Sequence, residues 1–300
     1  MGELIDGKRI AREIRKKTTV RVSALKKMGI TPKLAVILVG EDKPSQTYVK
    51  KKGQAAKKAG MDFELYELPS DISESELEHK INEIQNDKYL SGLIVQLPLP
   101  VHINTEKIVN MIRSEIDVDC LTDVNLGKLV MKTNTIVPPT PGAVMSILHD
   151  LGVNNLIGKN VVIIGAGPLV GKPLAIMMMN ERASVTTCNS KTKDTTEKCL
   201  GADIIITGVG RKDIVRGNMV RSNSIVIDTG VSFEDDPTVD SEKLKMYGDV
   251  NVEEVLEKAA HVTPTPGGVG PITVARLLLN TVICEEEKDN RTPRRTGQAD

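Results

Sequence analysis

Apolar residues in this chain fall into short continuous runs separated by longer periodic stretches. The runs occupy residues 34–40, 92–97, 161–164, 183–188, 202–208 and 224–230, and residues 63–68 read as a further short strand. Runs of this length bounded by turn residues predict buried strands. Between them, residues 5–28 place Ile10, Ile14, Val20, Val22 and Leu25 at helical spacing, and Gly29 ends the pattern. Residues 45–59 predict a basic helix stopped by Gly60. Residues 73–86 predict an amphipathic helix with Ser73 and Glu76 in a capping-box relation. A short helix is expected over 104–113. Another is expected over 141–151, starting at Pro141 with Thr140 as its cap. Strands alternating with helix-length segments give an α/β fold with parallel sheets.

The pattern also divides the chain. Residues 117–140 read as a loop carrying Pro138-Pro139-Thr140-Pro141, and the boundary between two domains is placed there. A first α/β domain covers 1–140. A doubly wound domain covers 141–269. An apolar helix over 270–284 is expected to return to the first domain. Residues 285–300, charged and nearly free of apolar side chains, read as a disordered tail.

Composition narrows the function classes. Three hundred residues fit two domains, and 40% apolar content suffices for ordinary cores. Forty basic residues balance forty acidic ones, and aromatics are 2%. Neither a nucleic-acid surface nor a base-stacking platform is expected. Four scattered cysteines without ligand spacing suit a reduced, cytoplasmic protein with no metal site. No apolar run of 18 residues suggests a membrane span.

Chemistry concentrates at a few places. Gly165-Ala166-Gly167-Pro168-Leu169-Val170-Gly171 lies between a strand run and a helical stretch. Such a turn lets backbone amides approach a diphosphate at a helix N-terminus. The third glycine stands one residue later than the strict fingerprint requires. The loop after the next strand, Asn189-Ser190-Lys191-Thr192-Lys193, has hydroxyls and lysines where NAD sites usually carry an acid. That favours a 2′-phosphate and hence NADP. Tyr48 and Lys52 are four apart on the basic helix and share a face. Neighbouring Lys50, Lys51, Lys57 and Lys58 would crowd Lys52 with like charge, against the alternative of a merely solvated face. Gln96 ends a strand, where ligands of open α/β sheets bind, or else it caps a loop. Asp117 and Asp119 either bind an N–H-rich ring or cap a turn. The four histidines are isolated. Short-chain dehydrogenases share the Tyr/Lys spacing, but there the pair follows the glycine turn within one domain.

Together these motifs resemble the bifunctional methylenetetrahydrofolate dehydrogenase/methenyltetrahydrofolate cyclohydrolase family over roughly residues 3–284. The resemblance rests on residues 45–52, 95–100, 117–119, 138–141, 170–173 and 263–274, in the family's order. It implies a folate-binding catalytic domain, a Rossmann-like dinucleotide-binding domain, a cleft between them, and a homodimer. Lys52 would be the main catalytic group beside Tyr48, assisted by Gln96, with Asp119 on the pterin ring. Val95 and Leu97 would border the folate, as would Pro266, Gly267, Gly268 and Pro271. The cofactor would lie against Gly165, Ala166, Gly167, Val170 and Gly171, with Ser190, Lys191 and Thr192 at the adenosine end. Gly208, Val209, Gly210, Thr229 and Gly230 would complete that side with Thr140, Gly270 and Thr273.

Departures from the family pattern matter too. Ala166 stands where the family usually has an arginine, which makes NAD an alternative to NADP. Cys120 replaces a usual glycine, Ile116 a lysine, Pro139 a cysteine and Asn189 a histidine. Rival readings are a monofunctional NAD-dependent dehydrogenase, a non-catalytic folate or dinucleotide module, and a dehydrogenase of a small acid.

Overall fold

A computed structural model describes residues 2–235 and 244–291. The chain opens with β1 (Glu3–Leu4) and α1 (Gly7–Lys27). It continues through β2 (Lys33–Val39), α2 (Lys43–Ala59), β3 (Asp62–Leu68), α3 (Glu74–Gln85) and β4 (Leu90–Val95). Three helices follow: α4 (Thr105–Asn110), α5 (Asp123–Val130) and α6 (Pro139–Asp150). A second alternation runs through β5 (Asn160–Ile164), α7 (Gly171–Asn180), β6 (Ser184–Cys188), α8 (Thr195–Leu200), β7 (Ile204–Thr207) and β8 (Ile225–Asp228). A hairpin of β9 (Ser232–Asp235) and β10 (Leu244–Tyr247), then α9 (Val252–Leu256), β11 (His261–Val262) and α10 (Val269–Arg291) complete it.

Two compact units result. One is built on a parallel three-stranded sheet, ordered β3-β2-β4. Both faces of β2 are buried, because its even and odd side chains serve separate cores. Leu34, Val36 and Leu38 pack with Val49 and Ala56 of α2 and with Leu277, Leu278 and Val282 of α10. Ala35, Ile37 and Val39 pack with Leu77 and Ile81 of α3. That explains why β2 reads as a continuous apolar run rather than an alternating one. The α3 capping box forms as expected, with Ser73 and Glu76 each bonding the other's backbone N–H. Helix α2 begins two residues before its predicted start, because the Asp42 side chain accepts from Ser45 N and Pro44 sits in the first turn.

The other unit carries a parallel six-stranded sheet, ordered β1-β11-β8-β7-β5-β6. Its core includes Val162, Ile164, Ile205, Val226, Val255 and Val262. From β5 the chain steps to β6 on one side and then to β7 on the other. The carboxyl ends of β5 and β7 are therefore the topological switch point.

Four expectations need correction. Residues up to Glu13 belong to the six-stranded unit, because β1 pairs with β11 there; two residues are too few to read as a strand. Residues 117–140 contain helix α5, whose Leu129 is buried. Helix α6 starts at Pro139 without a side-chain cap, so Thr140 lies inside its first turn; the two prolines preset the helical φ. Helix α10 runs to Arg291, seven residues into the predicted tail. Arg21 Nε donates to Glu286 at 3.0 Å and Lys288 pairs with Glu285, so the polar residues there are held as helix. The rest of the tail, 292–300, lies outside the described residues.

Gly92 lets the segment leaving Ile116 lie directly against β4. A Cβ at 92 would sit 2.6 Å from Val118 Cγ1. Gly92→Ala is expected to lower stability by about 1–3 kcal/mol through overpacking. A denaturant midpoint equal to wild type would contradict that packing.

Candidate active site

In the three-stranded unit, the site is assembled at the carboxyl ends of β2 and β4. Gln96 follows β4 and its backbone N–H donates to Ile37 O at 2.8 Å, which fixes its position on the sheet. Its Nε2 donates to Leu97 O at 2.8 Å. The amide is thereby oriented with Oε1 outward, and Oε1 accepts from Lys52 Nζ at 3.1 Å. Lys52 and Gln96, 44 residues apart in sequence, are brought together by this hydrogen bond.

Asp119 reaches the same place by another route. Leu93 N donates to Ile116 O at 2.8 Å, and Leu93 and Asp117 form a parallel bridge, so the chain beyond 116 runs beside β4. The two acids then separate in role. Asp117 is buried and accepts from Leu121 N, Thr122 N and Asn125 Nδ2 at 3.2, 2.9 and 2.9 Å. It holds the turn. Asp119 accepts no hydrogen bond from the described residues and is only partly covered. Burial raises its pKa, Lys52 opposes the shift, and Asp117 adds to it. An acid with a nearby cation and no hydrogen-bond donor is available to a ligand.

Tyr48 lies one turn before Lys52, partly buried, and burial pushes its phenol up. No hydrogen bond joins it to Lys52. Lys51 Nζ instead stands 5.6 Å from the Tyr48 ring centroid. Lys50 and Lys57 line a groove between α2 and β3 with Phe63 and Leu65. The expected crowd of cations is thus distributed over different faces of α2, and the groups near Lys52 are an amide and a carboxylate. Val95 is buried in the core and Leu97 packs against it.

The six-stranded unit holds the glycine turn. A Cβ at Gly171 would lie 1.8 Å from Gly165 O, and one at Gly165 would lie 2.7 Å from Gly208 O. The glycine needed for close helix–strand approach is therefore at 171, one residue later than the strict pattern. The amides of Gly167, Leu169 and Val170 have no acceptor among the described residues. They precede the N-terminus of α7 and suit a diphosphate. Around the switch point lie Gly208, Val209 and Gly210 after β7, and Thr229 and Gly230 after β8. The loop after β6 is closed by Asn189, whose Oδ1 accepts from Lys191 N at 2.9 Å and whose N–H donates to Thr192 Oγ1 at 2.8 Å. Ser190 and Lys191 are exposed on it. Thr140 and Thr273 come together, Oγ1 to Oγ1, at 3.3 Å. Pro266, Gly267 and Gly268 form the turn packed on Gly7, since a Cβ at Gly7 would meet Gly268 O at 1.8 Å. Gly270 and Pro271 begin α10.

Sequence reasoning passed over two buried acids, Asp228 and Asp249. The signal was an aspartate ending the run Ile225-Val226-Ile227, where burial of an acid needs a reason. Among the described residues there is no helix long and apolar enough to cross a membrane, and no cluster of His, Cys, Asp or Glu that could hold a metal ion.

Comparison with known proteins agrees with these features. Residues 5–119 match the catalytic domain of tetrahydrofolate dehydrogenase/cyclohydrolase, and residues 138–289 match its NAD(P)-binding domain. The bifunctional protein FolD of Geotalea daltonii is 43% identical over 282 residues, covering 94% of this chain and 98% of that protein. The crystal structure of the bifunctional FolD enzyme of Campylobacter jejuni superposes with a TM-score of 0.90 at 39% identity, covering 96% of this chain and all of that one. FolD of Trypanosoma brucei, complexed with NADP cofactor and inhibitor, gives 0.92 at 36% identity, covering 96% and 98%. With both domains matched in order across nearly its whole length, the chain belongs to the tetrahydrofolate dehydrogenase/cyclohydrolase family.

Proposed function

We propose that this protein oxidises 5,10-methylenetetrahydrofolate to the methenyl form with NADP and then hydrolyses that product to 10-formyltetrahydrofolate. The observation that carries the reading is the Lys52–Gln96 hydrogen bond beside the unpaired carboxylate of Asp119. This is the constellation expected of the folate side, and the free amides before α7 supply the dinucleotide side.

A bound NADP would supply the hydride acceptor for the one-carbon bridge, with the amides of Gly167, Leu169 and Val170 to hold its diphosphate. Nitrogen lone pairs of the folate spread the resulting positive charge, so the chain's task in that step is position. Asp119 fits the N–H groups of a pterin, which would supply the hydrogen bonds its carboxylate lacks. In the second step, water adds to the methenyl carbon and the bond from that carbon to N5 breaks. One water proton ends on N5 and the other is released. Lys52 would carry these protons, a role supported by its hydrogen bond to Gln96 Oε1, which would orient the amine. Tyr48 packs beside them as a wall of the folate site.

NADP is favoured by Ser190 and Lys191 on the loop after β6, despite Ala166. Four buried, scattered cysteines suit a reducing compartment such as the cytoplasm. A homodimer follows from the family resemblance alone.

Three outcomes are expected. Lys52→Met should reduce cyclohydrolase turnover by about 10²–10⁴-fold, the usual contribution of a positioned proton carrier, with the fold unchanged by circular dichroism. Full hydrolysis in that variant would refute the assignment. Lys191→Ala should raise KM for NADP roughly tenfold, about 1.4 kcal/mol, and leave KM for NAD nearly unaltered. Equal effects on both would remove Lys191 from the 2′-phosphate site. Asp119→Asn should weaken folate binding yet raise thermal stability at neutral pH. The folded pKa of Asp119 is raised, so its ionised form disfavours the native state. The gain should shrink as pH falls through the raised folded pKa and vanish below about 4, where the carboxyl is protonated both folded and unfolded. A stability difference independent of pH would contradict this account.

A further inference from the structure

Two buried acids tie down the loops at the switch point of the six-stranded sheet. Asp249 is fully buried. Its Oδ2 accepts from Thr207 Oγ1 at 2.8 Å and from Val209 N at 2.7 Å, and its Oδ1 accepts from Arg211 N at 2.8 Å. One carboxylate therefore spans the end of β7 and the Gly208–Gly210 turn. Asp228, at the end of β8, accepts from Gly230 N at 2.9 Å and Val250 N at 3.0 Å. Thr229 Oγ1 closes the arrangement by donating to Thr207 O at 2.7 Å. Glycines make room for both acids. A Cβ at Gly230 would fall 2.1 Å from Asp249 Oδ1, and one at Gly248 would fall 2.0 Å from Asp228 Oδ2.

We propose that Asp249 is a positioning residue for the dinucleotide, setting the backbone of residues 208–211 for the cofactor's nicotinamide half, with Asp228 as its support. The inference rests on reading residues 208–210 and 229–230 as cofactor loops. Its physical basis is directional. A carboxylate that accepts several backbone N–H groups fixes peptide planes, and charge-assisted bonds of this kind are stronger than neutral ones. Core packing alone does not explain the arrangement, because burying an acid is costly and an apolar side chain would fill the same space. Burial raises the Asp228 pKa to about 6 against the pull of its backbone donors. The desolvation cost is therefore retained at this end of the sheet.

The test uses the whole chain with both activities measured. Asp249→Asn keeps the shape but turns an amide N–H₂ toward an N–H donor. Exchange of the Val209 and Arg211 amides should accelerate. KM for NADP should rise tenfold or more while cyclohydrolase kcat/KM stays within twofold of wild type. A merely structural role would lower both activities together, and that result overturns the proposal. Unchanged KM with accelerated exchange overturns it as well. Should Asp249→Asn fail to fold, Thr207→Val removes one of the three bonds isosterically and should raise KM for NADP two- to fivefold; no rise in that variant is decisive against the clamp. Wild-type protein without NADP-linked dehydrogenase activity would instead refute the functional reading, while the exchange result would still report on the clamp itself.

Discussion

Buried carboxylates that accept backbone N–H groups are the constraint on which both halves of this protein depend. A parallel sheet delivers its functional loops at the carboxyl ends of its strands, where the ladder of main-chain hydrogen bonds stops. The peptides just beyond need other partners. Asp117, beside β4, meets that need by accepting from the backbone N–H groups of Leu121 and Thr122 and from the side-chain amide of Asn125. Asp249 and Asp228 do so after β7 and β8. In each case the acid is spent inside the protein. Asp119, two residues from Asp117, has no such donors among the described residues.

The same device explains why two acids in one short motif behave differently. Asp117 is the more buried of the pair, yet it is well solvated by the protein's own donors. Asp119 is more open but has no such donors, and its pKa rises. Burial without hydrogen-bond donors leaves the Asp119 carboxylate with the electrostatic cost of desolvation.

Much of the architecture was legible as period and punctuation. Buried runs mark β2, β4, β5, β7 and β8, whereas the edge strands β3 and β6 fall where strands were expected but are largely uncovered, and Ser73 with Glu76 marks the start of α3. What escaped had little periodic signal or depended on distant partners. β1 and β11 are two residues each and exist because they pair. The last turns of α10 looked like a tail because ion pairs with α1 and within the helix leave no apolar trace. At the site, the Tyr48–Lys52 spacing and the strand-end position of Gln96 were readable, as was the glycine turn. The partner of Lys52 was not, because a helix spacing says nothing of a residue 44 positions away. Charge crowding was inferred from adjacency in sequence, but α2 turns Lys50, Lys51 and Lys57 to other tasks.

Unfavourable features gather beside Asp119 and are held there by their surroundings. Cys120, next in sequence, has φ of 55°, a left-handed conformation that costs a non-glycine residue about 1–2 kcal/mol. The carboxylate at 119 is partly desolvated. Neither would persist on an unsupported loop. Asp117 grips the turn from one side. On the other, the buried Asn280 of α10 donates Nδ2 to Val118 O and to Val137 O, both at 2.8 Å. The loop is thus fixed immediately before and after the residues that strain it. A substrate offering N–H donors would recover at Asp119 the free energy that the empty fold gives up, so the cost of forming the loop becomes part of the selectivity for what binds it.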